Sequence, residues 1–200
     1  MPRIPADQRR RELTEAAVRV MAREGLAATT TRAIVAEAGM PLSAFHYCFR
    51  SKGELLTELT DSLVAKETAA AMATLRPGAD VHKALRKGLR AYWAQVEAAP
   101  AEHELTYELT RYARRTSGLE DLPRRQYEAY FDGARLVLRA LADASGTTWT
   151  APLPILARML ATVLDGLTLG WLADRNSRQA LAVLDQFALQ LAGYARPKTG

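Results

Sequence analysis

A short stretch near the amino terminus combines hydroxyl, imidazole and phenol groups at a spacing that suits contacts with nucleic-acid grooves and phosphates. Within one short predicted helix, Phe45 precedes Phe49 by four residues, which places both rings on the inner side. Ser43, His46 and Tyr47 then lie on the outer side. Tyr47 and Phe49 could both be core aromatics; we favour the core for Phe49 and the outer face for Tyr47.

Basic residues are concentrated at the same end. The chain has 200 residues and a formal net charge of +5. Residues 1–52 hold nine Lys or Arg residues and five acidic ones, a net charge of +4, so the remaining 148 residues carry only +1. A basic end on a near-neutral body indicates a polyanionic partner. A solvated basic face remains the alternative interpretation of the charge taken alone.

Helical periodicity dominates the chain and predicts an all-α fold. Two short helices, one through Ala38 and one over 42–48, flank a glycine-containing turn, which is the arrangement of a helix-turn-helix. A preceding helix near 7–24, capped by Asp7, has an apolar stripe that can support them. A long helix from Lys52 joins this three-helix unit to a larger helical bundle. Further helices are expected near 81–98, 101–116, 123–145, 153–173 and 177–195, with a loop over 147–154.

These motifs resemble a known family. Residues 9–56 closely resemble the DNA-binding domain of the tetracycline-repressor (TetR) family of bacterial regulators, because the turn, the aromatic cluster and the Ser-Lys helix start occur in fixed register. Asp165 to Asp174 is more loosely similar to the penultimate helix of that family. The matching residues are Ala16-Ala17, Gly25, Thr30-Thr31-Arg32, Ile34, Glu37-Ala38-Gly39, Phe45-His46-Tyr47, Phe49, Ser51-Lys52 and Glu54-Leu55-Leu56.

The resemblance implies a DNA-binding domain over 1–51 and an effector-binding and dimerisation domain over 52–200. It implies a homodimeric, ligand-responsive transcriptional regulator, more specifically a repressor. Such a protein would bind a palindromic double-stranded operator and would be released by a small, largely apolar effector. No cofactor is implied.

The resemblance also implies which residues contact DNA. Thr31 and Arg32 would meet the backbone or a base edge, and Lys52 would bind a phosphate. Pro41 departs from the usual polar cap, and Cys48 replaces a frequent histidine, which weakens a phosphate contact there. The residues expected in or beside the major groove are Leu42, Ser43, Ala44, His46 and Tyr47, and the two apolar members of this set favour contacts with thymine methyl groups.

Enzyme motifs fail on their spacing. His103-Glu104 begins like the HExxH zinc helix, but Tyr107 stands where the second histidine would be. No phosphate-binding glycine loop or nucleophile elbow occurs, and Cys48 has no paired histidine context. We therefore expect no catalytic residue and no metal site. The alternative function is an all-α small-molecule-binding protein or enzyme whose basic amino terminus is incidental.

A mixture of aromatic and polar side chains in the second half is typical of a ligand pocket between helices. At helical spacing most aromatics should be core residues, so the assignment rests mainly on the resemblance. The predicted ligand-binding residues are Trp93, Tyr107, Arg111, Tyr130 and Asp165.

Small residues repeat every four positions on the penultimate helix, which permits close approach of another helix. The last helix adds an apolar stripe, and two such helices could form a four-helix bundle with a second copy. The alternative is that both stripes are used within one chain. The predicted dimer interface is Thr162, Gly166, Gly170, Leu184, Phe187 and Leu191.

The amino terminus is polar and basic, so the sequence predicts no signal peptide. No run of about 18 apolar residues lacks charge, which predicts no membrane partner. One cysteine, Cys48, excludes an intramolecular disulfide. We expect a cytoplasmic protein.

Overall fold

The computed structural model describes residues 5–198, and within them it contains nine α-helices and two short strands. The predominance of helix confirms the all-α prediction. The elements are α1 (Ala6–Glu24), α2 (Thr31–Glu37), α3 (Leu42–Cys48), α4 (Lys52–Met72), α5 (Val81–Ala98), α6 (Pro100–Ala113), α7 (Leu122–Ser145), β1 (Thr147–Trp149), α8 (Leu153–Asp174), α9 (Ser177–Ala192) and β2 (Ala195–Pro197).

Contacts divide the chain into two compact units. The first comprises Met1–Leu63 with Ala101–Tyr127, and the second comprises Val64–Pro100 with Glu128–Gly200. Each unit has its own apolar core. The sequence predicts a different division, into a DNA-binding domain that ends at residue 51 and an effector-binding domain that follows it. That functional division stays a prediction.

The core of the first unit is built around α1. The apolar stripe of α1 is buried against α2 and α3, as its periodicity predicts. Leu105 and Leu109 of α6 join the same core, a long-range contact that local periodicity does not reveal. The buried stripe consists of Leu13, Ala16, Ala17, Val20 and Met21.

The ends of α1 agree with the sequence at one terminus only. Gly25 ends the helix with φ +81°, a left-handed value that glycine adopts without strain. At the start, Pro5 occupies the cap position and Asp7 lies in the first turn. The prediction of Asp7 as the cap is wrong, although a carboxylate in the first turn still interacts favourably with the helix dipole.

The core of the second unit contains helices α5, α8 and α9. Trp93 of α5 is 1% exposed and contacts Trp171 of α8 edge to face, with ring centroids 5.5 Å apart. Leu184 of α9 is fully buried in the same core. These contacts bury the apolar stripes that the sequence places on each helix.

Two strands occupy positions for which the sequence predicts no sheet. β1 pairs with β2 in antiparallel register, with Thr148 opposite Arg196. The Trp149 indole donates to the Leu138 carbonyl at 3.0 Å, which fixes β1 against α7. The prediction of a loop over 147–154 is therefore wrong at its start. Three residues are too few for alternation to be visible in the sequence.

A carboxylate on α9 joins two arginines of α5. Asp185 accepts hydrogen bonds from Arg86 at 2.9 Å and from Arg90 at 2.7 Å and 3.0 Å. The hydrogen bonds from Arg90 and then Arg86 hold the pKa of Asp185 well below its usual range. These ion pairs link α5 to α9 at the surface.

This depressed pKa predicts an acid-dependent contribution to stability. Because the folded-state pKa lies below the unfolded value of about 3.9, the contribution is present above that value and is lost as the pH falls through the folded-state pKa. Asp185→Asn should therefore lower the unfolding free energy near neutral pH, and the difference from wild type should shrink below about pH 4. Denaturant unfolding across pH measures it. Glu97→Gln is the control, because the Glu97 side chain is exposed on α5 and makes no ion pair among the described residues. A pH-independent difference for Asp185→Asn would contradict the account.

Candidate nucleic-acid interface

Helix α3 is held by its two phenylalanines. Phe45 is 2% exposed and Phe49 is 1% exposed, and their ring centroids lie 5.5 Å apart. Pro41 precedes the helix without a side-chain cap bond, as the sequence predicts. The buried rings fix which side of α3 faces outward.

The outward side of α3 carries polar and aromatic groups. Ser43, His46 and Tyr47 are all exposed. The Tyr47 side chain is 64% exposed, a large value for an aromatic residue. Of the two aromatic residues that could both have been core residues, Phe49 is buried in the core and Tyr47 lies on the surface. A short helix that presents these groups can contact base edges and phosphates.

The two apolar residues that the sequence predicts beside the groove do not share this exposure. Ala44 is 7% exposed, so it turns inward. Leu42 is half-buried and packs against the core of the first unit. The expectation that Ala44 contacts a thymine methyl group is therefore corrected, since its side chain is enclosed by its own domain.

Three consecutive threonines lead into helix α2, which begins at Thr31. The Thr30 hydroxyl accepts from the Ala33 amide at 3.1 Å and caps the helix. Thr31 is half-buried at the first helical position, and Arg32 beside it is exposed. Both remain candidate DNA contacts, and Arg32 is the more accessible.

Ion pairs link α1 to its neighbours. Arg10 donates to Glu54 at 3.0 Å, to Glu58 at 2.8 Å and to the Cys48 carbonyl at 2.6 Å, which holds the end of α3 against α1 and α4. The backbone amide of Arg50 and then Arg10 lower the pKa of Glu54. Long-range charge pairs of this kind are not visible in the local sequence pattern.

A second ion-pair cluster joins α1 to α2. Arg19 donates to Glu37 at 2.9 Å, and Arg23 donates to the same carboxylate at 3.2 Å. Hydrogen bonds from Arg19 and then Arg23 lower the pKa of Glu37. These arginines are therefore engaged within the protein.

Four other arginines in the described part of the basic end have guanidinium groups without an acceptor in the protein. Among the residues that the structure describes, four arginine side chains in the first 52 make no hydrogen bond or ion pair, and three of them are exposed. The charge excess in the sequence thus corresponds to identifiable, unpaired guanidinium groups. They are Arg9, Arg11, Arg32 and Arg50.

Lys52 has partners within the protein. Its ammonium donates to the Leu26 carbonyl at 3.1 Å and to the Thr29 carbonyl at 3.0 Å, and it lies 5.5 Å from the centroid of the Tyr112 ring. The Leu26 amide in turn donates to Glu108 at 2.9 Å. Lys52 therefore stabilises the loop between α1 and α2, a role that the sequence does not reveal. The phosphate contact implied by the resemblance stays a prediction.

Replacing Lys52 separates these two roles. Lys52→Met leaves two carbonyls without their charged donor and should lower the unfolding free energy by about 1–3 kcal/mol. If these internal bonds are its only role, the salt dependence of DNA binding stays unchanged. Arg50→Met is the matched control, because Arg50 is exposed and unpaired and its loss should alter stability by less than about 0.5 kcal/mol. Unchanged stability in Lys52→Met, with a salt slope reduced by about one unit, would instead support the phosphate contact.

The predicted ligand residues fall in both compact units. Tyr107 and Arg111 belong to the first, whereas Trp93, Tyr130 and Asp165 belong to the second. Their predicted role in binding an effector stays a prediction.

The second unit also contains buried polar groups. The Trp93 indole nitrogen is buried without a hydrogen-bond partner. The Tyr92 hydroxyl lies 3.2 Å from the Thr168 hydroxyl. Burial, followed by the nearby Glu67 charge, raises the pKa of Tyr92. The sequence pattern does not distinguish Tyr92 or Thr168, since a tyrosine at helical spacing looks the same whether its hydroxyl is solvated or buried.

The predicted dimer residues divide between surface and core. Thr162, Gly166 and Gly170 are exposed on α8, and a Cβ atom at either glycine would meet no atom within 4 Å. The α9 members of the set are buried in the second core and offer no exposed area to a partner. They are Leu184, Phe187 and Leu191.

Helix α8 is unusually apolar for its exposure. Its length and composition alone would allow it to cross a membrane, but core helices of soluble proteins can have the same length and composition. Only 28% of its apolar stretch is buried. Ile155 and Leu169 are 54% and 53% exposed on α8, and Leu189 is 56% exposed on α9. This apolar surface is available for a further protein contact.

No group of three His, Cys, Asp or Glu side chains is placed to hold a metal ion within residues 5–198. His103, the first residue of the incomplete zinc motif, is buried in α6. The motif therefore supplies no visible metal centre in this region.

Comparisons with known proteins agree with this geometry. Residues 13–59 match the model of bacterial regulatory proteins, tetR family. The chain is 29% identical over 172 residues to the HTH-type nicotine-responsive transcriptional repressor HdnoR of Paenarthrobacter nicotinovorans, which covers 86% of this chain and 88% of that protein.

Solved structures share the fold along nearly the whole chain. A transcriptional regulator from Rhodococcus sp. Rha1 superposes with a TM-score of 0.69 at 21% identity, covering 95% of this chain and 99% of the other. The multidrug binding protein EbrR, complexed with imidazole, gives a TM-score of 0.62 at 26% identity, covering 96% and 97%.

The matched segment 13–59 contains α2 and α3 with parts of α1 and α4. The relatives resemble the chain well beyond that segment, and HdnoR and the Rhodococcus protein are named as transcriptional regulators. Residues 13–59 are thus similar to the tetR family of bacterial regulatory proteins, and the chain resembles transcriptional regulators along most of its length.

Proposed function

We propose that this regulator is a homodimeric repressor that binds a palindromic operator and is released by a small, largely apolar effector. The observation that carries the proposal is the outward face of α3, where Ser43, His46 and Tyr47 lie exposed while Phe45 and Phe49 are buried. An exposed face on a rigidly packed short helix is what major-groove recognition requires.

The unpaired arginines support phosphate contacts around that face. Arg32 lies in the first turn of α2, and Arg50 follows the end of α3 by two residues. Both guanidinium groups lack ion pairs among the described residues. Phosphate contacts of this kind give affinity and register, while the α3 face supplies base readout.

Exposed residues of α8 and α9 support the homodimer. Gly166 and Gly170 permit close approach of a second helix, and Leu169 and Leu189 supply apolar area. We propose that α8 and α9 of two copies form a four-helix bundle, with Thr162 beside the two glycines in the interface. A two-fold dimer would present two α3 helices to two half-sites, which is why a palindromic operator is expected.

The effector proposal rests on polar groups within an apolar interior. The unpartnered Trp93 indole and the paired hydroxyls of Tyr92 and Thr168 are groups that can orient a small ligand. Two similar proteins have small-molecule ligands in their names or structures: HdnoR is nicotine-responsive, and EbrR is complexed with imidazole. We propose that Trp93, Tyr130 and Asp165, with Tyr107 and Arg111, take part in effector binding.

Release of DNA requires that the effector bind one state of the dimer more tightly than the other. The favoured state would hold the two α3 helices at a distance other than the roughly 34–36 Å that separates successive major grooves. The coupling must be reciprocal, so operator DNA should weaken the effector by the same factor.

The experiment is a tryptophan-fluorescence titration against a panel of hydrophobic small molecules, followed by gel shift with DNA from upstream of the gene. A compound that both binds and dissociates the DNA complex supports the proposal. DNA binding that no compound of the panel changes indicates a constitutive repressor. Small-molecule binding without any DNA affinity at low salt would indicate the alternative, a binding protein with an incidental basic end.

A further inference from the structure

Arg9 lies on the supporting helix α1 but contacts the reading face of α3. Its guanidinium carbon is 4.9 Å from the centroid of the Tyr47 ring. The next residue, Arg10, makes the corresponding contact with the Phe49 ring at 4.4 Å. Two consecutive arginines of α1 therefore stack on the two aromatic residues near the end of α3.

The two arginines differ in what their N–H groups do. Arg10 donates to Glu54, Glu58 and the Cys48 carbonyl, so its guanidinium is satisfied inside the protein. The Arg9 side chain makes no hydrogen bond or ion pair within the described residues, and its Nε atom is buried without a partner. Arg9 is half-buried, whereas Tyr47 is 64% exposed. Arg10 thus has a packing role, and Arg9 retains unused donors beside an exposed ring.

A guanidinium can stack and donate at the same time. Its flat face contacts the aromatic ring, while its N–H groups point along the plane toward acceptors such as phosphate oxygens. Because Nε is covered by protein, the donors left for an external acceptor are those of the terminal nitrogens. The stack also restricts the Tyr47 ring, which lowers the entropy lost when the ring contacts DNA.

We propose that Arg9 and Tyr47 form a single DNA-contacting unit, in which Arg9 positions the Tyr47 ring and donates to a backbone phosphate beside it. This inference rests on the proposed function, because it assumes that the outward face of α3 contacts DNA. It adds a residue of α1 to the interface, which neither the helix-turn-helix pattern nor the family resemblance selected.

The proposal predicts coupling between the two side chains. Removing Arg9 releases the Tyr47 ring as well as a phosphate contact, so part of the Tyr47 contribution is lost with it. Arg11 provides a matched control, because it carries the same charge on the same helix and is exposed, and no ring contact is found for it among the described residues.

The test is a double-mutant cycle of DNA affinity. The probe is a duplex recovered by the wild-type protein from a random-sequence DNA pool. Affinities are measured for Arg9→Met, Tyr47→Ala and the combined variant, and for the corresponding set with Arg11→Met. Arg9→Lys keeps the charge but loses the flat stacking face.

Arg9→Met should lower affinity roughly tenfold and reduce the salt slope by about one unit. The loss of affinity in the combined variant should be about threefold or more smaller than the product of the two single losses. In the Arg11 set, the loss in the combined variant should equal that product. Arg9→Lys should keep the salt slope and lose most of the coupling to Tyr47. Circular dichroism establishes that each variant is folded.

Two results would overturn the inference while the proposed function stands: wild-type DNA binding with Arg9→Met no weaker than wild type, or Arg9 and Tyr47 losses that multiply as the Arg11 losses do. Failure of the wild-type protein to recover any duplex would overturn the proposed function, and the Arg9 role with it.

Discussion

Replacing Phe45 by alanine should destabilise the first unit by about 3–5 kcal/mol, the usual cost of truncating a fully buried phenylalanine. Phe45 is 2% exposed and contacts Phe49 in the core that also holds Leu13 and Ile34. Marginal domains rarely tolerate a loss of this size. Denaturant unfolding monitored by circular dichroism measures it, and DNA binding should be lost with folding.

Tyr47→Ala is the matched comparison, two residues along the same helix. Because Tyr47 is mostly exposed, its removal should alter the unfolding free energy by less than about 1 kcal/mol, including the stack with Arg9. DNA affinity should nevertheless fall roughly tenfold, as for truncation of an aromatic contact at an interface. A folded Tyr47→Ala protein with wild-type affinity would remove Tyr47 from the interface.

Gly166→Leu should convert the dimer to a folded monomer. A Cβ atom at Gly166 meets nothing within 4 Å in the single chain, so the leucine fits the monomer and gains roughly 1 kcal/mol of helix propensity. In the proposed bundle the same side chain would separate helices that must approach closely. Loss of the dimer removes the second half-site contact, and affinity for the operator should fall at least about a hundredfold.

Sedimentation velocity and thermal unfolding of the same samples distinguish dissociation from misfolding. Gly166→Ala is the size control, and it should remain largely dimeric because a methyl group can fit where a leucine cannot. A stable Gly166→Leu dimer would move the interface to another surface.

The structure of α2 and α3 was largely predictable because it depends on residues close together in sequence. The bounds of α3 follow from Pro41 and the turn before it, and the four-residue spacing of Phe45 and Phe49 fixes which face is buried. The exposure of Tyr47 then follows from helix geometry. The stripe of α1 was predictable for the same reason, since its apolar residues repeat with the helical period.

Interactions between distant residues were not predictable from local pattern. The acceptors for Lys52 are backbone carbonyls of Leu26 and Thr29, which leave no trace in side-chain chemistry. The pairing of Arg10 with Glu54 and Glu58 joins helices more than 40 positions apart.

The last helix shows a different limit. A stripe such as that of Leu184 and Leu191 has the same period whether it packs within one chain or between two, and the structure buries it within one. Exposure, and not periodicity, distinguishes a core stripe from an interface stripe. The exposed glycines of α8 are therefore better candidates for the dimer interface than the buried stripe of α9.

The salt dependence of DNA binding tests the central claim most directly. Affinity of the wild-type protein for DNA from upstream of its gene is measured by gel shift between about 50 and 200 mM salt. The four unpaired arginines, Arg9, Arg11, Arg32 and Arg50, predict that log Kd depends on log salt with a slope magnitude of at least about 3.6, the value for the four phosphate contacts of one chain. No saturable binding at low salt, or a slope magnitude below about 1, would contradict DNA recognition by this surface.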